Sequence, residues 1–259
     1  MKIAIMGAGA YGTALGGILA EKGYDIDYYD PKIERENLGD VLLGAKMVIL
    51  SVPSEAVSHI LPYLPKNIPL IVTTKGILSD RTFENFKDYM ILSGPGFADD
   101  IKAHKKTKLT ATDDRIIKLF STDYLSFDFT DDIRGVLMCG SLKNVYAILA
   151  GILGLQRDSE AWVDFIFEAA DEMRRILACN GADEKTVDLV CGIGDLKLTC
   201  GYPSRNYEFG DLLRTNPNYK PKATIEGASV IKKIKRGEIA LPDNLTLLSD
   251  LISRSEKWA

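Results

Sequence analysis

The sequence predicts an α/β domain with a doubly wound parallel sheet, followed by an all-helical domain. Apolar, β-permissive runs alternate with helical patterns through the first half of the 259-residue chain, and this alternation is typical of right-handed β-α-β crossovers. Strand-like runs end near residue 133, and long helical patterns occupy the rest. We therefore predict two domains, at residues 1–133 and 134–259.

The composition excludes several classes of protein. Hydrophobic residues make up 46% and charged residues 26% of the chain, as in ordinary globular proteins. A net charge of -4 gives no support for nucleic-acid binding. No apolar run approaches the roughly 20 residues that span a bilayer, so we expect no membrane insertion. Four scattered cysteines, with only His59 and His104 beside them, predict no metal site and reduced thiols, as in the cytoplasm.

The first domain shows five clear strands and signs of more. A helix is predicted over Thr13–Lys22, since Gly23 is a good C-cap. SEAVSHILPYL, after the third strand, predicts another helix. KLTAT and LSFDFT predict one or two later strands. The five clear strands are Lys2–Met6, Ile26–Asp30, Lys46–Pro53, Pro69–Gly76 and Tyr89–Gly96.

The second domain carries a long helix and several shorter ones. The long helix is predicted to end at Gly181 and to be buried on more than one side, because its apolar residues form a broad stripe at helical spacing. TIEGASVIKKIKRGEI predicts shorter helices. The stripe consists of Trp162, Phe165, Ile166, Ala169, Met173, Ile176 and Leu177.

Gly7, Gly9 and Gly12 form a G-x-G-x-x-G pattern between the first strand and the first helix. In this position the three glycines allow a tight turn, the close approach of a pyrophosphate, and close helix–strand packing. The N-terminus of the helix offers free N–H groups and the positive end of its dipole to phosphates. The pattern therefore predicts a Rossmann-type dinucleotide-binding domain.

Asp30 ends the second strand and indicates which dinucleotide binds. A carboxylate here can accept hydrogen bonds from both hydroxyls of an adenosine ribose, and it repels a 2′-phosphate. This favours NAD over NADP. Lys32 lies close enough in sequence to soften the preference, and Asp30 is also a plausible turn residue before Pro31.

Further candidates follow the C-terminal ends of the predicted strands, where ligands bind in parallel sheets. Ser51–Ser54, Lys75–Gly76 and Gly94–Ala98 are placed in this way. Lys75 could face a nicotinamide or an anionic substrate, or it could be a solvated loop lysine.

The helical domain contributes polar residues in unusual settings. Lys143 and Asn144 interrupt an otherwise apolar helix, SLKNVYAILAGI. Lys143 either extends to the surface or is held where desolvation lowers its pKa. Asp195 is expected in a glycine-flanked turn. Arg205, ten residues further on, carries the guanidinium fork that suits a phosphate.

Seven short blocks, in order, resemble the bacterial-type NAD(P)-dependent glycerol-3-phosphate dehydrogenases. They are GAGAYGTALG, TTKG, LSGPGFA, SLKNVYAILAGI, GIGDLKLTC, SRN and IEG, and they run from residue 1 to about residue 235. The resemblance implies a reversible reduction of dihydroxyacetone phosphate to sn-glycerol 3-phosphate, which supplies the phospholipid backbone. It also implies NAD or NADP as cofactor and a homodimer. The family's arginine after the second strand is absent, with Pro31 or Lys32 in its place, which agrees with Asp30 in favouring NAD over NADP.

The resemblance assigns roles residue by residue. It implies that Lys143 is the proton donor and acceptor, with Lys75 and Asp195 as the other catalytic residues. The substrate-binding residues are then Lys75, Gly94, Gly96, Asn144, Ser204, Arg205 and Asn206. The cofactor-binding residues are Gly7, Gly9, Ala10, Tyr11, Gly12, Asp30, Lys75, Ala98, Arg205 and Glu226.

The proposed chemistry needs a lysine with an unusual pKa. A free lysine, with a pKa of about 10.4, is a poor base for oxidising an alcohol. Burial of Lys143 and a nearby Lys75 would lower its pKa, whereas Asp195 would raise it. The sequence leaves the direction of the net shift open.

This chain also departs from the pattern of the family. Gly96 stands where the family usually has Ser or Thr, which removes a hydroxyl expected near the substrate. The segments between Asp30 and Lys46 and between Gly76 and Leu92 are short, and so are the C-terminal helices.

Two other functions stay open at this point. One is a related dehydrogenase of the 3-hydroxyacid or 6-phosphogluconate type. The other is a non-catalytic NAD-binding regulatory module, which the departures at Gly96 and in segment length would allow.

Overall fold

The computed structural model of the protein describes residues 1–32 and 37–258. The chain divides into two compact units. Unit 1 comprises Met1–Thr74 and Arg81–Ile133, and unit 2 comprises Lys75–Asp80 and Arg134–Ala259. The segment Lys75–Asp80 therefore folds with the helical unit, although it lies within the range 1–133 that the sequence analysis expects for the first domain.

A seven-stranded sheet forms the centre of unit 1, in the order β2-β1-β3-β4-β5-β6-β7. Because β1 lies between β2 and β3, the chain reverses its direction of progress across the sheet at this point. Ligands of α/β sheets bind beside such a reversal, at the carboxyl ends of the strands. The strands are β1 Lys2–Met6, β2 Asp25–Tyr29, β3 Met47–Leu50, β4 Leu70–Val72, β5 Tyr89–Ser93, β6 Thr107–Ala111 and β7 Leu125–Phe129.

The α/β class is confirmed, but the sheet is mixed and not wholly parallel. Strands β1 to β5 pair in parallel, whereas β6 is antiparallel to β5 and parallel to β7. The connection between β5 and β6 contains the five-residue helix α4, Ala98–Lys102.

The central strands of unit 1 are buried on both faces. Ile3 and Ile5 point to one face of β1 and Ala4 and Met6 to the other, and all four are 0% exposed. Helices α1, α4 and α5 contribute to the core on the face of Ile3 and Ile5. These apolar runs explain why the sequence patterns of the first strands are easy to recognise. The helices of unit 1 are α1 Ala10–Glu21, α2 Leu38–Leu42, α3 Ser54–Ile60, α4 and α5 Asp114–Phe120, with 3₁₀ turns at Leu61–Tyr63 and Asp80–Phe83.

Helix α1 begins three residues earlier than predicted, at Ala10 and not at Thr13. Gly9 is its N-cap residue, and no side chain caps the helix. Gly12 therefore lies inside the first turn. The sequence does not indicate this start of the helix, because glycine has a low helix propensity.

The regular secondary structure of unit 2 is entirely helical, and its described residues contain no strand. A one-turn π-helix, Val190–Gly194, leads directly into α8. Asp195 is thus the first residue of a short helix. The expectation from the sequence, that Asp195 lies in a turn, is wrong. The helices are α6 Ile133–Ile152, α7 Glu160–Cys179, α8 Asp195–Thr199, α9 Arg205–Thr215, α10 Glu226–Lys235 and α11 Leu247–Arg254, with 3₁₀ turns at Glu184–Asp188 and Ser255–Lys257.

Helix α6 is the core helix of unit 2. By length and composition it is apolar enough to cross a membrane, so the expectation that no such run exists is wrong, but 94% of the relevant window is buried inside the protein. Other backbones approach it closely. A Cβ added to Gly210 of α9 would lie 2.0 Å from the carbonyl oxygen of Ile148, and one added to Gly227 of α10 would lie 2.4 Å from that of Asn144. Only glycine permits these approaches.

A buried carboxylate ties α11 and α6 to α7. Glu172 of α7 is 0% exposed. It accepts hydrogen bonds from the backbone N–H groups of Thr246, Leu247 and Leu248, at the start of α11, and from the hydroxyl of Tyr146 at 3.0 Å. A carboxylate at a helix N-terminus is favourably placed, and these four donors compensate for its burial.

Candidate active site

Lys75, Lys143 and Asp195 form one cluster in unit 2. The Nζ atom of Lys143 lies 2.6 Å from Oδ1 of Asp195, and the Nζ atom of Lys75 lies 2.9 Å from Oδ2. The side chains of Lys143 and Asp195 are only 6% and 1% exposed, and that of Lys75 is 26% exposed. A single buried carboxylate therefore holds two ammonium groups side by side, and one of them reaches solvent.

The environment of Lys143 decides the question that the sequence left open. Burial lowers the pKa of Lys143 to about 7, Asp195 opposes this effect, and the nearby charge of Lys75 adds to the lowering. Lys143 therefore does not extend to the surface. An amine with this pKa can act as both acid and base near neutral pH.

Thr199 is a further member of the cluster, which the sequence analysis missed. Its hydroxyl oxygen accepts a hydrogen bond from Lys143 Nζ at 2.9 Å. The same hydroxyl donates to the backbone carbonyl of Asp195 at 2.6 Å, one turn earlier in α8. The i, i+4 spacing of Asp195 and Thr199 could have indicated this contact, but only if Asp195 had been recognised as helical.

Asn144 and Asn206 lie together, but their amides bind each other. Asn206 donates from Nδ2 to Oδ1 of Asn144 at 2.9 Å, and its own Oδ1 accepts from the backbone N–H of Gly227 at 2.9 Å. Asn144 also donates to the carbonyl of Gly140 at 3.3 Å. These bonds join α6, α9 and α10. Glu226 is the first residue of α10 and directly precedes Gly227, whose N–H Asn206 binds.

Ser204 and Arg205 stand at the start of α9. Ser204 is the N-cap residue, and its hydroxyl accepts a hydrogen bond from the N–H of Tyr207. Arg205 is exposed, and within the described part of the chain its guanidinium makes no hydrogen bond or ion pair. The guanidinium is thus available to an anion.

The glycine loop of unit 1 has the shape of a phosphate cradle. Gly7 has a φ of +104°, and a Cβ there would lie 2.4 Å from the carbonyl oxygen of Ser51. A Cβ on Gly12 would lie 2.1 Å from the carbonyl oxygen of Gly7, whereas one on Gly9 would meet nothing within 4 Å. Gly7 and Gly12 are thus required by packing, and Gly9 leaves open space before the uncapped start of α1. A dinucleotide pyrophosphate fits this arrangement.

Asp30 is bonded to the glycine loop and to its own turn. Its Oδ2 accepts from the backbone N–H of Ala8 at 3.2 Å, and its Oδ1 from that of Lys32 at 3.0 Å. The side chain therefore has the turn role that the sequence allowed. A carboxylate offers about four acceptor positions, so positions are left for a ribose.

The remaining candidates of unit 1 follow β1 and β5. Tyr11 and Ala98 are half-buried in the first turns of α1 and α4. Gly94 and Gly96 face β6: added Cβ atoms would lie 3.1 Å from the Cα and the Cδ2 of Leu109, respectively. A side chain at position 96 would therefore start toward an apolar neighbour.

Among the described residues, no group of three or more His, Cys, Asp or Glu side chains could hold a metal ion. The site chemistry in this part of the chain is carried by lysine, aspartate, threonine and arginine.

Comparison with known proteins identifies the family. Residues 132–242 match the model of the "NAD-dependent glycerol-3-phosphate dehydrogenase C-terminus". A glycerol-3-phosphate dehydrogenase [NAD(P)+] of Citrifermentans bemidjiense is 33% identical, in an alignment that covers 81% of this chain and 77% of the relative. The chain belongs to the NAD(P)-dependent glycerol-3-phosphate dehydrogenase family. This membership decides against the 3-hydroxyacid and 6-phosphogluconate type as its family.

Solved structures agree with this assignment to the glycerol-3-phosphate dehydrogenases. The enzyme of Coxiella burnetii superposes with a TM-score of 0.80 at 25% identity, covering 96% of this chain and 93% of the other. That of Plasmodium falciparum gives a TM-score of 0.81 at 18% identity, which shows the shared fold. The shortened segments thus leave the fold of the family intact.

Proposed function

We propose that the protein interconverts dihydroxyacetone phosphate and sn-glycerol 3-phosphate with NAD(H), and that Lys143 is the proton donor and acceptor. The observation that carries this proposal is the buried contact of Lys143 Nζ with Asp195 at 2.6 Å, with the second ammonium of Lys75 on the same carboxylate. Family membership supports the reaction, and the residue roles are our inference.

Lys143 serves the reaction in both directions. In ketone reduction, its ammonium stabilises the negative charge that develops on the C2 oxygen and then gives that oxygen a proton. In alcohol oxidation, the neutral amine takes the hydroxyl proton. A pKa of about 7 makes both forms available near neutral pH. Acid–base catalysis by one such group commonly contributes about 10²- to 10⁴-fold.

Lys75 and Asp195 keep Lys143 in place and tune it. Asp195 orients the ammonium of Lys143 through a short hydrogen bond and compensates for its positive charge. Lys75 is more exposed and can also contact the substrate or the cofactor. Thr199 accepts a second hydrogen bond from Lys143, which restricts the direction of the remaining proton.

Unit 1 provides the residues for NAD(H). When bound, the dinucleotide supplies or accepts the hydride. Gly9 and the start of α1 would receive the pyrophosphate, and Asp30 would receive the adenosine ribose. Because the carboxylate of Asp30 repels a 2′-phosphate, we propose that NAD is preferred over NADP.

The phosphate of the three-carbon substrate is proposed to bind Arg205, with Ser204 and Asn206 nearby. A guanidinium that has no partner among the residues the structure describes suits a phosphate dianion. Binding energy from the phosphate, remote from the reacting carbon, helps to orient C2. We further propose a cytoplasmic homodimer that supplies the glycerophospholipid backbone, as the family resemblance implies.

The direct test uses purified protein with NADH and dihydroxyacetone phosphate. We expect NADH oxidation, and we expect Lys143→Ala to reduce kcat by at least about 100-fold while NADH binding is retained. Lys197→Ala removes an exposed lysine of α8 and is the matched control. NADH binding without reduction of any phosphorylated ketone would favour the non-catalytic module, and turnover of hydroxyacids alone would contradict the proposed substrate.

A further inference from the structure

The segment Lys75–Asp80 is attached to the helices of unit 2 by side chains. The hydroxyl of Ser141, in α6, lies 2.8 Å from the carbonyl oxygen of Ile77. The guanidinium of Arg134, also in α6, contacts the carboxylate of Asp80 at 3.1 Å. Both contacts lie on the C-terminal side of Gly76. They fix the end of the segment, but they do not fix the peptide between Gly76 and Ile77.

A third contact, from α10, acts at that peptide. The ammonium of Lys233 donates to the carbonyl oxygen of Gly76 at 2.7 Å. Gly76 is buried and has a φ of +83°. Lys233 is half-buried, and within the described residues this carbonyl is the only hydrogen-bond or ion-pair partner of its ammonium group.

The conformation of Gly76 explains why an external donor matters here. Glycine adopts many backbone conformations at similar energy, so its own residue type does not set the direction of the Lys75 side chain. A buried carbonyl without a partner is costly. A hydrogen bond from Lys233 therefore selects one orientation of the Gly76 peptide.

We propose that Lys233 is a positioning residue for the reaction proposed above: by holding the carbonyl of Gly76, it keeps the ammonium of Lys75 on Asp195 and beside Lys143. The proposal rests on that function for its effect on turnover. The geometric part of the proposal, that the hydrogen bond from Lys233 to Gly76 positions Lys75, does not depend on the substrate.

Loss of the hydrogen bond from Lys233 to Gly76 should change the pKa of Lys143, and this change can be measured. The titratable groups that act on Lys143 or respond to it are Lys75, Asp195 and the buried thiol of Cys200. Of these, Lys75 adds to the burial effect that lowers the pKa of Lys143. If Lys75 moves away, the pKa of Lys143 rises.

The experiment compares three variants. Lys233→Met removes the donor and keeps an apolar stem of similar length, and Lys233→Arg restores a donor. Lys232→Met removes the same charge from the exposed neighbouring position and is the matched control. The readouts are the pH dependence of kcat/KM for glycerol 3-phosphate oxidation, and the pH-dependent labelling of Lys75 and Lys143 by acetic anhydride, quantified by mass spectrometry.

For Lys233→Met we expect kcat to fall by about 10- to 100-fold, the range caused by a displacement of about 1 Å. We expect the pH midpoint to rise by about one unit, and Lys75 to be labelled faster. Lys233→Arg should restore most of the wild-type kcat and pH midpoint, and Lys232→Met should behave as wild type.

Two results would overturn the proposal. One is a raised KM with unchanged kcat and unchanged midpoint, which would place Lys233 in contact with the substrate phosphate. The other is labelling of Lys75 and Lys143 that Lys233→Met does not alter. The labelling needs no turnover, so it tests the proposal even if the wild-type protein reduces no phosphorylated ketone, in which case only the proposed function fails.

Discussion

Replacing Asp195 by asparagine should move the pH profile of the enzyme far to the acid side. Asp195 is 1% exposed and lies 2.6 Å from Lys143 and 2.9 Å from Lys75. Asn has the same shape but no charge, and its NH₂ group must face one of the two ammonium groups. The substitution therefore removes the one group of this cluster that raises the pKa of Lys143.

The size of the effect follows from the burial of both partners. At an effective dielectric constant of about 20, opposite charges about 4 Å apart attract each other by about 4 kcal/mol. Loss of this attraction increases the acid dissociation constant of Lys143 about a thousandfold. Starting from a pKa of about 7, Lys143 is then almost entirely neutral at pH 7 and is a weaker base. We expect turnover at this pH to fall by about 10²- to 10⁴-fold.

The assay is the initial rate of NADH formation with glycerol 3-phosphate, measured across pH at saturating NAD. In the wild type, kcat/KM should rise through a midpoint at about pH 7, because the neutral amine is the base. In Asp195→Asn the midpoint should lie about three pH units lower. Removing one partner of a buried ion pair costs about 3–5 kcal/mol, so circular dichroism must show that the variant is folded.

A matched control distinguishes the local effect from the general loss of a charge. Asp188→Asn removes a carboxylate that is 58% exposed and pairs with Arg174 in the same unit, and it should leave the midpoint unchanged. If Asp195→Asn is folded and its midpoint stays near that of the wild type or moves to higher pH, Asp195 does not oppose the effect of burial, and our account of Lys143 is wrong.

Two further predictions concern Lys75 and Asp30. Lys75→Met removes a cation that lowers the pKa of Lys143, so the midpoint of kcat/KM should move to higher pH, opposite to Asp195→Asn; an acid shift would contradict this. Asp30→Asn keeps one acceptor oxygen, which serves only one of the backbone N–H groups of Ala8 and Lys32, but it does not repel a 2′-phosphate. The NADPH-to-NADH ratio of kcat/KM should rise about tenfold, equivalent to about 1.4 kcal/mol, and an unchanged ratio would show that Asp30 does not select the cofactor.

The parts of the fold that the sequence predicts are the strands and helices whose own pattern of apolar residues marks the face that is buried. The sequence predicts β1 and β2 to within a residue, because they are continuous apolar or amphipathic runs. It predicts α7 because the apolar stripe of this helix has helical spacing. The direction of β6 is not predictable from the sequence, because a strand pattern marks which residues are buried but not whether the strand runs parallel or antiparallel to its neighbour. The start of α1 was missed because glycines occupy its first turns.

The candidate site divides in a similar way. The glycine loop and Asp30 are close in sequence, and their roles can be read from a pattern of fixed spacing. Lys233 cannot be found in this way, because nothing in its local sequence marks it, and Thr199 can be found only once Asp195 is known to be helical. Each contacts a residue that the pattern did identify, Lys143 in one case and the neighbour of Lys75 in the other.

By itself, the sequence determined the α/β class, the dinucleotide loop and the residue types available for catalysis, because these depend on local spacing and on composition. The tertiary structure decided the environment of Lys143 and therefore its pKa. Its carboxylate partner is 52 residues away, and the second lysine on that carboxylate is 120 residues from it. Burial and charge act through space, so the pKa of a lysine within an apolar helix depends on which side chains folding brings around it.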